Sequence, residues 1–324
     1  IKRLRPPNGR LSGVFLQYQT IMNHIVQLLG ISNAIVDILA HIEDEFLEKI
    51  GAPAGSMTLI DQQRAREIYS MMGPATEMSG GSVANTVAGF RNLGGSAAYI
   101  GRVKADQLGA IFNHDMRSLG VDIRLQPGSD GLPTARSHIL ISGNGQRTMQ
   151  TYLGACTELG VSDINAETVG APKAMLLEGY VWDLPEGPAL TQKAMEIAKE
   201  NGTAVVLSLS DSFCVDRHRD SFAAAIRDSV DIVVADEDEV AALLKTGSFE
   251  DTLQALDGYD NLFAITRSEK GSVIVHGDER IVQPANAVEN VVDTTGAGDA
   301  YSAGFLYGWV NDYPLAECAK IGTF

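Results

Sequence analysis

The residues best suited to chemistry stand near the end of the chain, in VVDTTGAGDAYSAGFLYGW over positions 291–309. A short apolar run leads into a turn pinched by Gly296 and Gly298, and a helical pattern follows. Glycine at both positions lets the backbone bend tightly and come close to a ligand, and it leaves the N–H groups of Ala297, Gly298 and Asp299 without partners at a helix N-terminus. Such a group of amides attracts phosphate. Asp299 stands beside them as a carboxylate, ionised at neutral pH but a weak base. As a bare GxGD the same residues would make a plain turn with Asp299 as helix cap. The acid-led Thr-Thr before the turn makes the context more specific, as do the small residues Ala300, Ser302, Ala303 and Gly304 after it, which permit close helix packing.

Three further segments carry polar residues in suggestive places. SGGSVANTVAGFRNLGGSAAYIGRVKADQLG (79–109) sets Gly80 and Gly81 ahead of a helix, with Asn85 one turn inside it and facing the cleft at its start; a simple tight turn is the alternative. In LLGISNAIVDILA (28–40) an extended backbone points Asn33, Ile35 and Asp37 to one face. Unpartnered among apolar neighbours, Asp37 would cost on the order of several kcal/mol, and the two donors of a vicinal diol would satisfy it. The alternative makes it a helix cap at a strand end. TARSHILI (134–141) and RTMQTYL (147–153) flank SGNGQ, and Asn144-Gly145 predicts a type I′ hairpin with Arg147, Met149, Thr151 and Leu153 on one face.

These segments need a frame that brings them to one edge. From Ile25 onward short β-branched runs alternate with amphipathic stretches, the pattern of a parallel sheet covered on both faces by helices. Strands are expected at 25–31, 97–103, 174–180, 203–209, 231–235, 262–266 and 272–277, and helices at 61–72, 82–93, 106–119, 188–200, 216–227 and 236–244. Asp61, Ser82 and Asp106 sit where N-caps belong, and the glycines after Leu93 and Leu119 where helices stop. Open α/β sheets bind ligands at the carboxyl ends of their strands. No repeat or linker divides the chain, so one α/β domain over 23–324 is expected, with a small β lid from about 33–60 and 130–155 over that edge.

Composition narrows the partners. Of 324 residues 45% are apolar, enough for a large core, and 25 Lys+Arg against 41 Asp+Glu give a net charge of −16. That is the wrong sign for a nucleic-acid backbone. No run reaches the roughly 18 apolar residues of a membrane span. Cys156, Cys214 and Cys318 are odd in number, far apart and without metal-ligand spacing, which points to a reducing compartment, by default the cytoplasm. Residues 1–22 read as a poorly ordered extension rather than a signal peptide, with Met22 as a natural start.

Taken together, the segments 79–109 and 291–309 resemble the two signatures of the PfkB, or ribokinase-like, kinases, and the adenosine kinase branch most of all. The resemblance implies a three-layer αβα fold around a mostly parallel sheet, ATP and Mg²⁺ as cofactors, a nucleoside or sugar as small-molecule substrate, and a monomer or homodimer. It implies that Asp299 accepts the proton of the substrate hydroxyl, while Gly296, Ala297 and Gly298 form an anion hole for the transferred phosphoryl group. Gly80, Gly81 and Asn85 would contact the sugar, and Asn33 and Asp37 show the adenosine kinase spacing for a ribose diol. The flap, with Met149 and Leu153, would close over the nucleoside and carry Arg147 to the phosphate. Tyr180 would stack on adenine. An exposed flap arginine and a core aromatic are the plain alternatives for these two. Asp236, Glu239, Thr266, Arg267 and Gly271 fall on the ATP side, with Glu239 reaching Mg²⁺ through water.

One departure concerns the family's Asn-x-x-Glu, which here has Asp236 in place of Asn. An extra carboxylate near triphosphate either favours a metal or repels substrate. The stretch 207–222 also resembles the adenosine kinase branch, with no chemistry assigned to it, and the chain ends at Phe324 where relatives continue for another helix or two. Other phosphate chemistries lack their loops: there is no GxxxxGK[ST], and His218-Arg219-Asp220 has neither the following Asn nor a DFG. A dinucleotide dehydrogenase is disfavoured because Tyr301 occupies the last glycine position of GxGxxG. The expected activity is ATP-dependent phosphorylation of a nucleoside's primary hydroxyl, adenosine to AMP, with a furanose such as ribose or fructose, or a catalytically silent binder, as alternatives.

Overall fold

The computed structural model describes residues 26–287 and 296–324; the expected extension over 1–22 and the Asp-Thr-Thr at 293–295 lie outside them. The strands are β1 (Leu28–Ile31), β2 (Ile35–His41), β3 (Met57–Leu59), β4 (Thr76–Gly80), β5 (Ala97–Ile100), β6 (Asp122–Ile123), β7 (Ala135–Ile141), β8 (Arg147–Tyr152), β9 (Ala174–Glu178), β10 (Ala204–Ser208), β11 (Ile232–Asp236), β12 (Leu262–Thr266), β13 (Ser272–His276) and β14 (Glu279–Gln283). They form one sheet in the order β14-β13-β12-β11-β10-β9-β1-β5-β6 and a second in the order β3-β8-β7-β2-β4.

The large sheet is parallel from β6 through β12 and turns antiparallel at β13 and β14. Its central strands are apolar runs because both faces are buried. Leu29, Ile31, Met175 and Leu177 enter one core, while Leu28, Ala174, Leu176 and Val206 enter the other. Full burial of each leucine or isoleucine contributes about 1.5–3 kcal/mol, so the alternation between two cores holds helices on both faces. β14, whose ERIVQ carries charges along an exposed edge, was not among the expected strands; charged edge strands discourage pairing with other chains.

The small sheet is the expected lid with a wider membership. β4 pairs antiparallel with β2, so residues 76–80 belong to it although they lie outside 33–60. β7 and β8 form the predicted hairpin, but its turn differs. The Gly145 amide donates to the Ser142 carbonyl at 2.8 Å and the Ser142 amide to the Gln146 carbonyl at 2.9 Å. Only Gly145 has positive φ in that turn, at 80°, whereas type I′ needs positive φ at both central residues. The loop is therefore a three-residue turn closed by a left-handed glycine.

Helix starts follow the expected caps at Asp61 and Asp106, which accept from the amides of Arg64 at 2.7 Å and Gly109 at 2.9 Å. Ser82 does not cap: Gly81, at φ 95°, holds the N-cap position of the Ser82–Asn92 helix. The Ser212–Asp228 helix begins a turn earlier than predicted, capped by Asp211. The Ala297–Val310 helix packs along the Ser82–Asn92 helix so closely that a Cβ on Gly89 would lie 2.9 Å from that of Ala303. No helix among the described residues is long and apolar enough to cross a membrane.

Candidate active site

β1 lies between β5 and β9, the place where strand order reverses and a crevice opens at the carboxyl edge. Asn33 follows β1 there, and β9 ends on Glu178, which is 2% exposed. The amides of Asn33 and Val83 donate to Glu178 Oε2 at 3.0 Å and Oε1 at 3.4 Å. Burial pushes its carboxyl up to about 7. Sequence reasoning missed Glu178, although a lone acid in the apolar run AMLLEGY was its signal.

Asp299 sits in the first turn of its helix and is held by the helix beside it. Ser82 Oγ donates to Oδ1 at 2.7 Å and Asn85 Nδ2 to Oδ2 at 3.1 Å, while the Thr86 hydroxyl donates to the Asp299 carbonyl at 3.3 Å. Burial raises the Asp299 carboxyl above its ordinary range, and the Ser82 and Asn85 hydrogen bonds hold it back. Gly296, at φ 69°, is the N-cap, and its carbonyl takes the first helical bond from Ala300 at 2.7 Å. The amides of Ala297, Gly298 and Asp299 precede that bond. Ala297 and Gly298 are exposed, and a Cβ on Gly298 would meet nothing within 4 Å.

Two cavities meet at Ser82 and Asp299, which line both. The first, of about 450 Å³, is lined by Ala297, Gly298, Asp236, Glu239, Thr266 and Gly271. The second, of about 250 Å³, runs beneath the lid and is lined by Asn33, Asp37, Gly81, Asn85 and Tyr180, with Ile35, Met57, Leu59, Ile139, Met149 and Leu153 as an apolar wall. Burial above all, and then the charge of Asp299, raise Asp37 to about 7, while Arg147 acts the other way. Gly80 does not line the cavity; it makes room, since a Cβ there would sit 2.2 Å from the Asp37 carboxyl carbon.

Gly296 lines neither cavity, and the two expected arginines also stand elsewhere. Arg147 is close enough to influence Asp37 but lines neither cavity. Arg267 is turned away from the first cavity, its Nε 2.9 Å from Glu237 and its guanidinium 3.7 Å above the Phe249 ring. Tyr180 lines the second cavity while packing on the core, and its hydroxyl donates to Asp211. Gly271 has φ 89° and would place a Cβ 2.1 Å from the Gln283 carbonyl, so it shapes the cavity's edge.

Asp236 caps the Glu237–Leu244 helix, accepting from the Glu239 amide at 2.8 Å while Glu239 accepts from the Asp236 amide at 3.0 Å. Asparagine caps equally well. Asp236→Asn is therefore expected to change stability by less than about 0.5 kcal/mol and Asp236→Ala to cost about 1 kcal/mol, measured by urea unfolding. A large loss in the Asn variant would show that the carboxylate charge itself holds this region.

The pfkB family carbohydrate kinase profile matches residues 54–323, and the chain belongs to that family. It is similar to the adenosine kinase from Sinorhizobium meliloti, with 48% identity, a TM-score of 0.86, and coverage of 92% of this chain and 91% of that one. It is also similar to the Escherichia coli guanosine-inosine kinase, 28% identical over 72% of this chain, and spans 56% of the length of that relative. The Clostridium perfringens 5-dehydro-2-deoxygluconokinase is 23% identical over 75% of each chain. The fold is the ribokinase-like one that the two motif segments implied.

Proposed function

We propose that this chain is an ATP-dependent kinase that phosphorylates the primary 5′ hydroxyl of a nucleoside, adenosine foremost. The observation that carries the reading is the junction at Asp299: a polar cavity with open helix amides on one side, a lidded apolar cavity on the other. Phosphoryl transfer needs donor and acceptor in line, and catalysis comes mainly from positioning and charge stabilisation. Asp299 would orient the acceptor hydroxyl and take its proton, with Ser82 and Asn85 fixing the carboxylate. The amides of Ala297, Gly298 and Asp299 would hold charge on the transferring group. Asn33 and Asp37 would take the ribose hydroxyls, and the apolar wall would enclose the base.

The polar cavity fits a divalent cation. Burial, with the nearby charge of Asp236, raises Glu239 to about 8, and Asp236 is raised as well. Positive charge beside them would favour their ionised forms. Bound with the triphosphate, Mg²⁺ would neutralise charge on the phosphate oxygens, and Glu239 would hold it through water.

Adenosine, inosine, guanosine, ribose and fructose, each assayed with Mg-ATP, test the reading. Adenosine is expected to have the highest kcat/KM; a sugar turned over better than every nucleoside would overturn the nucleoside assignment. Ser82→Ala should further raise the Asp299 carboxyl by removing a hydrogen bond to its ionised form. Asp299 must be ionised to act as base, so activity falls as pH drops through its pKa. The acid limb of the kcat profile is expected to move upward in this variant.

A further inference from the structure

The stretch 207–222, to which no chemistry attached in the sequence, supplies a second polar cluster at the wall of the lidded cavity. Cys214 and His218 are one turn apart on the Ser212–Asp228 helix and so share a face. Asp183, at the end of the 3₁₀ turn that follows β9, closes against them. A thiol sulfur, an imidazole nitrogen and a carboxylate oxygen from these residues all lie within 4.8 Å of one another. His218 Nε2 is 2.6 Å from Asp183 Oδ1, and the His218 ring lies 5.9 Å from that of Phe222. Asp183 also accepts from Arg217 Nε at 3.0 Å and Nη2 at 2.6 Å. Asp183 and Arg217 line the cavity, whereas Cys214 is fully buried behind them.

We propose that Asp183, Cys214 and His218 form a binding site for a zinc-class divalent cation. One sulfur, one nitrogen and one oxygen donor make a set that suits borderline-soft ions and not Mg²⁺ or Ca²⁺. With metal–ligand bonds of about 2.0–2.3 Å, tetrahedral ligands stand roughly 3.3–3.6 Å apart. Binding must draw together three donor atoms that already lie within 4.8 Å of one another and open the 2.6 Å contact between His218 and Asp183. On binding, the Cys214 proton leaves to solvent and a metal–thiolate bond forms. The cation replaces the Arg217 guanidinium as counter-charge to Asp183, and Arg217 is released at the cavity wall. Three protein ligands leave one position open on that side. Metal occupancy therefore couples to whatever the lidded cavity holds, a consequence that rests on the nucleoside reading, while the site itself does not.

Cobalt(II) serves as a spectroscopic substitute for zinc. Titrating the full chain with Co²⁺ is expected to give intense tetrahedral d–d bands and a thiolate-to-cobalt charge-transfer band in the near ultraviolet, both abolished by added Zn²⁺. Cys214→Ser should remove the charge-transfer band, while Cys156→Ser and Cys318→Ser keep it. Asp183→Asn should weaken affinity by about 10- to 100-fold. Arg217→Ala should tighten it several-fold, because the competing cation is gone; this variant leaves all three ligands in place and so does not depend on their replacements folding. A weak octahedral spectrum without charge transfer, or a band that survives Cys214→Ser, would overturn the site. Calorimetry with adenosine then tests the coupling, with affinity expected to fall about tenfold when zinc is bound. Equal affinity in both states would overturn the coupling. Absence of adenosine binding in either state would instead count against the nucleoside reading, leaving the cobalt result to stand by itself.

Discussion

Asp299→Asn is expected to lower kcat by about 10²- to 10⁴-fold while leaving KM for both substrates within a few-fold. The amide is isosteric and can still meet Ser82 Oγ and Asn85 Nδ2, which now stand 2.7 and 3.1 Å from the carboxylate oxygens. What it cannot do is receive a proton. An interaction made only as the acceptor hydroxyl loses its hydrogen shows in kcat and not in ground-state affinity. Steady-state kinetics with Mg-ATP and adenosine measure both constants, and thermal melting shows whether the variant is folded. A folded variant with near-normal kcat would remove Asp299 from the reaction.

Asp37→Asn should separate stability from function. Asp37 titrates at about 7 in the folded chain, against about 3.9 when unfolded. Between those values the unfolded state is ionised and the folded state is not. The contribution of Asp37 is thus fully present below pH ~4 and is lost as pH rises through ~7. Asparagine carries no such loss, so the variant is expected to gain roughly 1–3 kcal/mol over the wild type at pH 8 while matching it more closely at pH 4. Glu178 and Glu239 have raised values of the same sign and keep their own slopes in both proteins, so the difference between the two curves reports Asp37 together with its coupling to Asp299. Nucleoside KM should rise by about 10- to 100-fold, the worth of hydrogen bonds to a charged group. A variant that loses stability at pH 8, or that binds adenosine normally, would show that Asp37 is a structural acid.

The parts of this design that repeat along the chain were legible in the sequence. Apolar strands buried on both faces and helices punctuated by Asp61 and Asp106 follow local rules, and the glycine-pinched helix start at 296–299 declares itself by residue type. What escaped depends on contacts across long separations. Ser82 reads as a cap because serine before an apolar helix is one; its bond to Asp299 joins positions 217 apart. Glu178 reads as a strand end, and only the fold supplies the two amides it accepts from. β4 was missed because TEMSG is mostly polar, as a lid edge is. Arg267 lies on a loop whose Thr266 and Gly271 line the first cavity, but a one-dimensional pattern cannot tell a cavity from the opposite side, where Glu237 and Phe249 hold it. Asp236, conspicuous as a departure, fills a capping role that asparagine would fill as well.

The close crossing at Gly89 and Ala303 sets a mechanical condition on the whole enzyme. One helix of that pair carries Asp299 and the other carries Ser82, Asn85 and Thr86, so the spacing of the Asp299 carboxylate from the groups that hold it is gauged by two small residues on the shared seam. A single methyl inserted there would act as a shim, prying the Asp299 carboxylate away from Ser82 and Asn85 and, in the reaction proposed above, out of line with the acceptor hydroxyl. Turnover would then be tuned from the protein's interior, by steric tolerance at a seam that lines neither cavity.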